Sequence, residues 1–143
     1  MGKILALDVG DRRIGVAIGL LEQEMIFPRD AIDTKVSEPT QAIANLIASD
    51  NITMLIVGLP LNSDGSENEQ CLKTREFVKK LNKIVDLPMS YVNEYASSKE
   101  ANNIFASFGA RKQIKPGVID SSAASIILDS YFQKLKADAK DNY

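Results

Sequence analysis

The sequence predicts an α/β protein built on a five-stranded mixed sheet, three antiparallel strands followed by parallel additions, with helices flanking it. Residues 3–33 hold three strand-like apolar runs in succession, joined by short links, which is the pattern of an antiparallel meander. After Pro39 the apolar period becomes helical, and helix and strand patterns alternate from there on. The runs at 3–8 and 54–58 are almost continuously apolar, as expected of strands covered on both faces.

KILALD (3–8) is the first such strand, and RIGVAIG (13–19) the second. The short GDRR link between them makes a hairpin. The third strand covers residues 25–33 and contains Pro28, which lacks the N–H that a central ladder requires, so it belongs at a sheet edge. Pro39 stands near a helix start, and Ala42, Ile43, Leu46 and Ile47 follow at helical spacing. MLIVG (54–58) is a buried strand and runs into the turn-rich LPLNSDGS.

Ser66 and Glu69 have capping-box spacing at the head of a second helix, with an inner stripe of Phe77, Val78, Leu81, Ile84 and Val85. Pro88 closes that segment and MSYVN (89–93) is a short strand. Ser97 and Glu100 repeat the capping spacing before a third helix carrying Ala101, Ile104, Phe105 and Phe108. A loop with Gly109, Pro116 and Gly117 leads to a last helix over roughly 118–136. One domain over 1–137 is expected, followed by a frayed tail at 138–143.

The bulk composition narrows the chemistry. A chain of 143 residues, 45% apolar and 25% charged, has the profile of an ordinary globular domain. No apolar run approaches the length of a membrane span, and MGKILALDVG turns acidic too early for a secretory signal. Cys71 is the single cysteine, which excludes an internal disulfide and a thiolate-rich zinc site. Together these point to a cytoplasmic protein. There is no histidine and no GxxxxGK[ST] loop, so carboxylates, lysines or hydroxyls must carry any catalysis. The formal net charge of −2 argues against a general nucleic-acid coat and permits a local basic patch.

Three acids fall at element ends. Asp8 ends the first strand, Glu94 follows the last, and Asp120 opens the final helix. Positions 120, 123, 124, 127, 128 and 131 share one helical face that is otherwise apolar, and a carboxylate there needs charge compensation. Ala123 and Ala124 let that helix approach the sheet closely. Ligand sites in open α/β sheets gather at the carboxyl ends of strands. Three carboxylates in one site call for a hard divalent cation, Mg²⁺ or Mn²⁺, as one or two ions, which suits phosphodiester hydrolysis. Taken singly, each acid also fits an ordinary role: an Asx turn at Asp8, a solvated strand end at Glu94, a dipole-favoured first turn at Asp120.

At these residues the chain resembles the YqgF (RuvX) family, over nearly its whole length and in four blocks. LALDVGDRRIGVA is similar to the family's opening block, with Asp8 at its catalytic aspartate and Arg13 at its basic turn residue. IVGLPLNSDGSE resembles the G-x-P-x-N-x-D-G loop through Gly58, Pro60, Asn62, Asp64 and Gly65. YVNEYASSKEA places Glu94 at the catalytic glutamate, and GVIDSSAASIILDSYF matches the closing block at Asp120, Ala123 and Ala124. Asn93 and Tyr95 depart from the family's usual Asp and Arg on either side of the glutamate, which removes a basic residue beside the site. The resemblance implies an RNase H-like fold and a metal-dependent nuclease, in 5′-end maturation of pre-16S ribosomal RNA or, by the older assignment, in Holliday junction resolution.

RKQIK (111–115) sets Arg111, Lys112 and Lys115 in a loop before the helix of Asp120, where they could neutralise backbone phosphates or simply face solvent. Arg12 and Arg13 form a second positive site. PLNSDGS (60–66), with Asn62, is a candidate substrate-facing loop whose residues equally suit any tight turn. The expected partner is nucleic acid, structured precursor rRNA first, in the setting of a pre-ribosomal particle. A non-catalytic ribosome-assembly module is the second class. A fragment of an actin-like ATPase is a third, and the chain is short for a two-domain nucleotide cleft.

Overall fold

The structure, a computed structural model, describes residues 2–93 and 116–141, and within the last segment the side chains of residues 123–137. Eight elements follow one another: β1 (Lys3–Val9), β2 (Arg13–Leu20), β3 (Met25–Asp33), α1 (Pro39–Asp50), β4 (Met54–Leu59), α2 (Glu69–Leu81), β5 (Met89–Asn93) and α3 (Pro116–Asp141). The helix expected over 97–108 lies outside the described residues.

The sheet has the order β3-β2-β1-β4-β5. β1–β2 and β2–β3 are antiparallel, while β4 and β5 join in parallel, as the sequence pattern predicts. Pro28 sits on the outer strand β3 opposite Ala17, the edge position its missing N–H demands.

Strand alternation divides the core into two layers. Leu5, Leu7 and Val9 of β1, Val16 and Ile18 of β2 and Val57 of β4 pack with Ile43 of α1 and Val78 and Leu81 of α2. Ile4, Ala6, Ala17 and Ile56 point the other way, onto Ala124, Ile127, Leu128 and Phe132 of α3. The sheet face under α3 is built from small residues on β2. A Cβ placed on Gly19 would lie 2.7 Å from Leu128 Cδ2 and 2.9 Å from Phe132 Cζ, so the helix rests where only a hydrogen fits.

These contacts fix the direction of α3. Phe132 packs beside Gly19, which pairs with Ile4 at the amino end of β1. Tyr131 donates its hydroxyl to Met54 Sδ (3.5 Å) at the amino end of β4, and Lys136 pairs with Glu24 (2.9 Å) in the β2–β3 turn. From Phe132 back to Ala124 is about 12 Å of helix, and from Ile4 to Asp8 about 13 Å of strand. The amino-terminal turns of α3 therefore lie toward the carboxyl ends of β1 and β4.

Two local expectations are corrected. The cap of α2 is Asn68, whose side chain accepts from Cys71 N–H (3.0 Å), and not Ser66, whose hydroxyl is bound to Asp64 instead. Ile84 is exposed because α2 ends at Leu81 and the helical period lapses there, although Val85 still reaches the core. Asn68 also donates to the Pro60 carbonyl (2.7 Å) and to Asn62 Oδ1 (2.9 Å). Asn68→Ala is expected to cost about 1–2 kcal/mol, at the upper end for a lost cap, measured by urea unfolding.

Candidate metal and nucleic-acid site

Asp8 follows Ile4 and Ala6 on the face of β1 that α3 covers, one step beyond the apolar layer, and is half-buried. Its two flanks carry no side chains. Gly15 is its antiparallel partner on β2. On the other side Leu7 pairs with Val57, so Asp8 runs level with Gly58 of β4, which in turn pairs with Val92 of β5. In the sheet Asp8 thus stands between two glycines.

The backbone after Asp8 is held by α2, by its own turn and by the end of β3. Gln70 of α2 donates from Nε2 to the Val9 carbonyl (2.9 Å), and Lys73 reaches Asp11 (3.4 Å). Gly10 N–H donates to the Arg13 carbonyl (3.0 Å), and a Cβ at Gly10 would fall 2.6 Å from that oxygen, so the turn requires glycine. Thr34 ties the turn to the end of β3 through its hydroxyl and its N–H, both donating to the Arg12 carbonyl (2.9 and 2.8 Å).

The two arginines of this turn differ. Arg13 opens β2 on the same face as Gly15, Ala17 and Gly19, hence on the face of Asp8, two residues farther out than Gly15. Arg12 reaches across to Asp33 (3.3 Å) and remains about half exposed. The Lys35 N–H and the Arg12 guanidinium hold the Asp33 carboxyl below its ordinary range.

β1, β4 and β5 are parallel, so their carboxyl ends share one edge of the sheet. Two strand spacings, about 10 Å, separate β1 from β5 there. Asn93 ends β5 on that edge and is exposed. Glu94 and Tyr95, and Arg111, Lys112 and Lys115, lie outside the described residues. The backbone of Asp120 belongs to the second turn of α3, and its side chain is outside the described set.

The loop after β4 is bound up in itself. Asn62 donates from Nδ2 to Ser66 Oγ (3.0 Å) and accepts from Asn68, so both ends of its amide are engaged within the loop. Gly65 takes φ +88°, a left-handed conformation suited to glycine. The Ser66 hydroxyl and N–H lower the Asp64 carboxyl from its ordinary value. Glu67 is lowered by the Arg75 guanidinium, which grips it at 2.7 and 3.0 Å and stacks 4.8 Å from the Tyr91 ring centre. A carboxyl lowered in the folded chain stabilises it above the unfolded value, and that contribution is lost as pH falls through the folded value. Thermal stability is therefore expected to fall below about pH 4. Asp64→Asn should flatten part of that fall in melting curves taken across the acid range.

The sequence profile of the RuvX family, described as Holliday junction resolvase, matches residues 2–134. The chain belongs to the RuvX family. A relative in Halothermothrix orenii, named "Putative pre-16S rRNA nuclease", is 38% identical over 90% of this chain and 93% of its own length. Relatives of the same name occur in Fusobacterium nucleatum, 36% identical over 95% of this chain and the whole of that protein, and in Syntrophus aciditrophicus, 33% identical over 97% of both. Among solved structures, Thermus thermophilus RuvC in complex with a Holliday junction substrate superposes with a TM-score of 0.59, covering 94% of this chain and 96% of that one at 10% identity. The RuvX chain thus has the RNase H-like fold of RuvC. Among its described residues no helix is long and apolar enough to cross a membrane. The RuvX sequence pattern had marked Gly58 but not the paired role of Gly15 and Gly58. Their signal was the alternation that puts both beside Asp8.

Proposed function

We propose that this chain is a divalent-metal-dependent nuclease that hydrolyses phosphodiester bonds, with structured precursor 16S rRNA as substrate and 5′-end maturation in the cytoplasm as its setting. The observation that carries the reading is Asp8 between two glycines at the carboxyl edge of the parallel strands, in a chain of the RuvX family. The relatives' names supply the substrate.

Carboxylate oxygens are the donors that Mg²⁺ and Mn²⁺ prefer, and the sheet neighbours of Asp8 are both glycines. In this reading Asp8, Glu94 and Asp120 hold one or two such ions. When bound, the ions activate water and stabilise the leaving oxygen. Arg13, on the same face, donates charge-assisted hydrogen bonds to a phosphate oxygen. Arg12, engaged with Asp33, adds positive potential at the rim. Arg111, Lys112 and Lys115, which precede α3 in the sequence, contact backbone phosphates. The Asn62 loop borders the substrate, with Asn62 holding the loop's shape.

The test incubates purified protein with precursor 16S rRNA spanning the 5′ end and with a four-way DNA junction, in Mn²⁺ or EDTA. The expected result is cleavage of the RNA only, abolished by chelation and by Asp120→Asn. Cleavage of the junction with the RNA intact would reassign the substrate. Chelator-insensitive cutting, or full activity in the variant, would refute the metal-dependent reading. Binding without any cutting would leave a non-catalytic assembly module.

A further inference from the structure

A cleft of about 440 Å³ opens between β5 and α3, lined by Ser90, Val92 and Asn93 of the strand and by Ser130, Tyr131 and Lys134 of the helix. Its place and chemistry are distinctive. β5 is the outermost strand on this side of the sheet, so the cleft follows an edge. One end is Asn93, the residue directly before Glu94. The other end is Lys134, exposed and in no ion pair among the described residues. No carboxylate contributes to the lining among the described residues. Tyr131 commits its hydroxyl to Met54 Sδ, which leaves its ring as a wall beside Val92.

We propose that this cleft is a subsite for the substrate strand on one side of the scissile phosphate, with Lys134 and the Ser130 and Ser90 hydroxyls on the phosphates and the Tyr131 ring against a ribose or base. This rests on the nuclease reading for the direction of the strand, since Asn93 joins the cleft to the carboxyl edge. From Ser90 to Asn93 the edge runs about 10 Å. At about 3.4 Å per nucleotide of a stacked strand, that length accommodates about three nucleotides. A cationic side chain, hydroxyl donors and an aromatic wall are what a groove tracking a single strand uses.

The test is fluorescence anisotropy of the full chain with labelled single-stranded RNA in EDTA, across a salt series. One phosphate contact on a single strand carries a slope of about 0.7 in log affinity against log salt, or about fivefold at 0.1 M salt. Lys134→Ala is expected to weaken binding about fivefold and to lower the slope by about 0.7. Lys134→Arg should restore both, and Lys134→Glu should weaken binding further. Lys136→Ala, which removes a cation paired with Glu24 elsewhere on α3, should change neither quantity.

Equal effects of Lys134→Ala and Lys136→Ala would overturn the subsite, as would no effect of Lys134→Ala or no binding at all. The two proposals fail separately. Lys134-dependent binding without any cleavage refutes the nuclease and keeps the cleft. Cleavage with Lys134 variants that bind like wild type does the reverse.

Discussion

Asp8→Asn is expected to lower cleavage by about 10³-fold or more while leaving the fold intact. The substitution keeps the shape of the side chain and removes the charge that the proposed divalent cation would need. Metal stabilisation of a phosphoryl transition state amounts to several kcal/mol, and about 4 kcal/mol corresponds to about a thousandfold in rate. Stability supplies a second readout. A ligand at about 100 times its dissociation constant stabilises the fold by about 2.7 kcal/mol. Wild type should therefore melt at a higher temperature in Mn²⁺ than in EDTA, and Asp8→Asn should lose most of that difference.

The second large effect is structural. Gly19→Val is expected to destabilise the chain by about 2–3 kcal/mol. The new Cβ would press on Leu128 and Phe132, which are buried and cannot turn outward, and the two methyls beyond it have nowhere to go. At about 2–4 °C per kcal/mol for a chain near this size, the melting temperature should drop by about 4–12 °C. Gly19→Ala should fall between the two. Combining Gly19→Ala with Phe132→Leu should recover part of the loss, because the residues share one contact. An unchanged melting temperature for Gly19→Val would mean that α3 does not lie as closely on β2 as described.

Much of the architecture was legible because the apolar runs are unambiguous. ILAL and LIVG could hardly be anything but buried strands, Pro28 marked the edge, and the absence of a helix pattern before Pro39 forced a meander. The close approach of α3 was legible in Ala123 and Ala124, both buried as expected. Two aromatic residues show how burial follows position in the fold: Phe132, on α3, is buried, and Phe27, on the edge strand, is exposed.

The rest depended on contacts between residues far apart in the chain. Arg12 and Asp33 are 21 positions apart, and Gln70 and Val9 are 61 apart; no spacing rule relates them. The helix cap was misread for a local reason. Ser66 and Asn68 are both good caps, and Asp64 decides between them by taking the Ser66 hydroxyl. For the site itself, β-alternation was enough to put Asp8, Gly15, Gly58 and Arg13 on one face. Glu94 lies outside the described residues, and of Asp120 only the backbone, in α3, is described.

Everything catalytic in this reading depends on negative side chains from β1, the end of β5 and the start of α3 sharing a cation. The most direct test is a crystal of the wild-type protein soaked in Mn²⁺, with the ion located by its anomalous scattering. A peak about 2 Å from carboxylate oxygens of Asp8, Glu94 and Asp120 is the expected result. A peak elsewhere, or Glu94 or Asp120 turned away from an ion bound at Asp8, would contradict it.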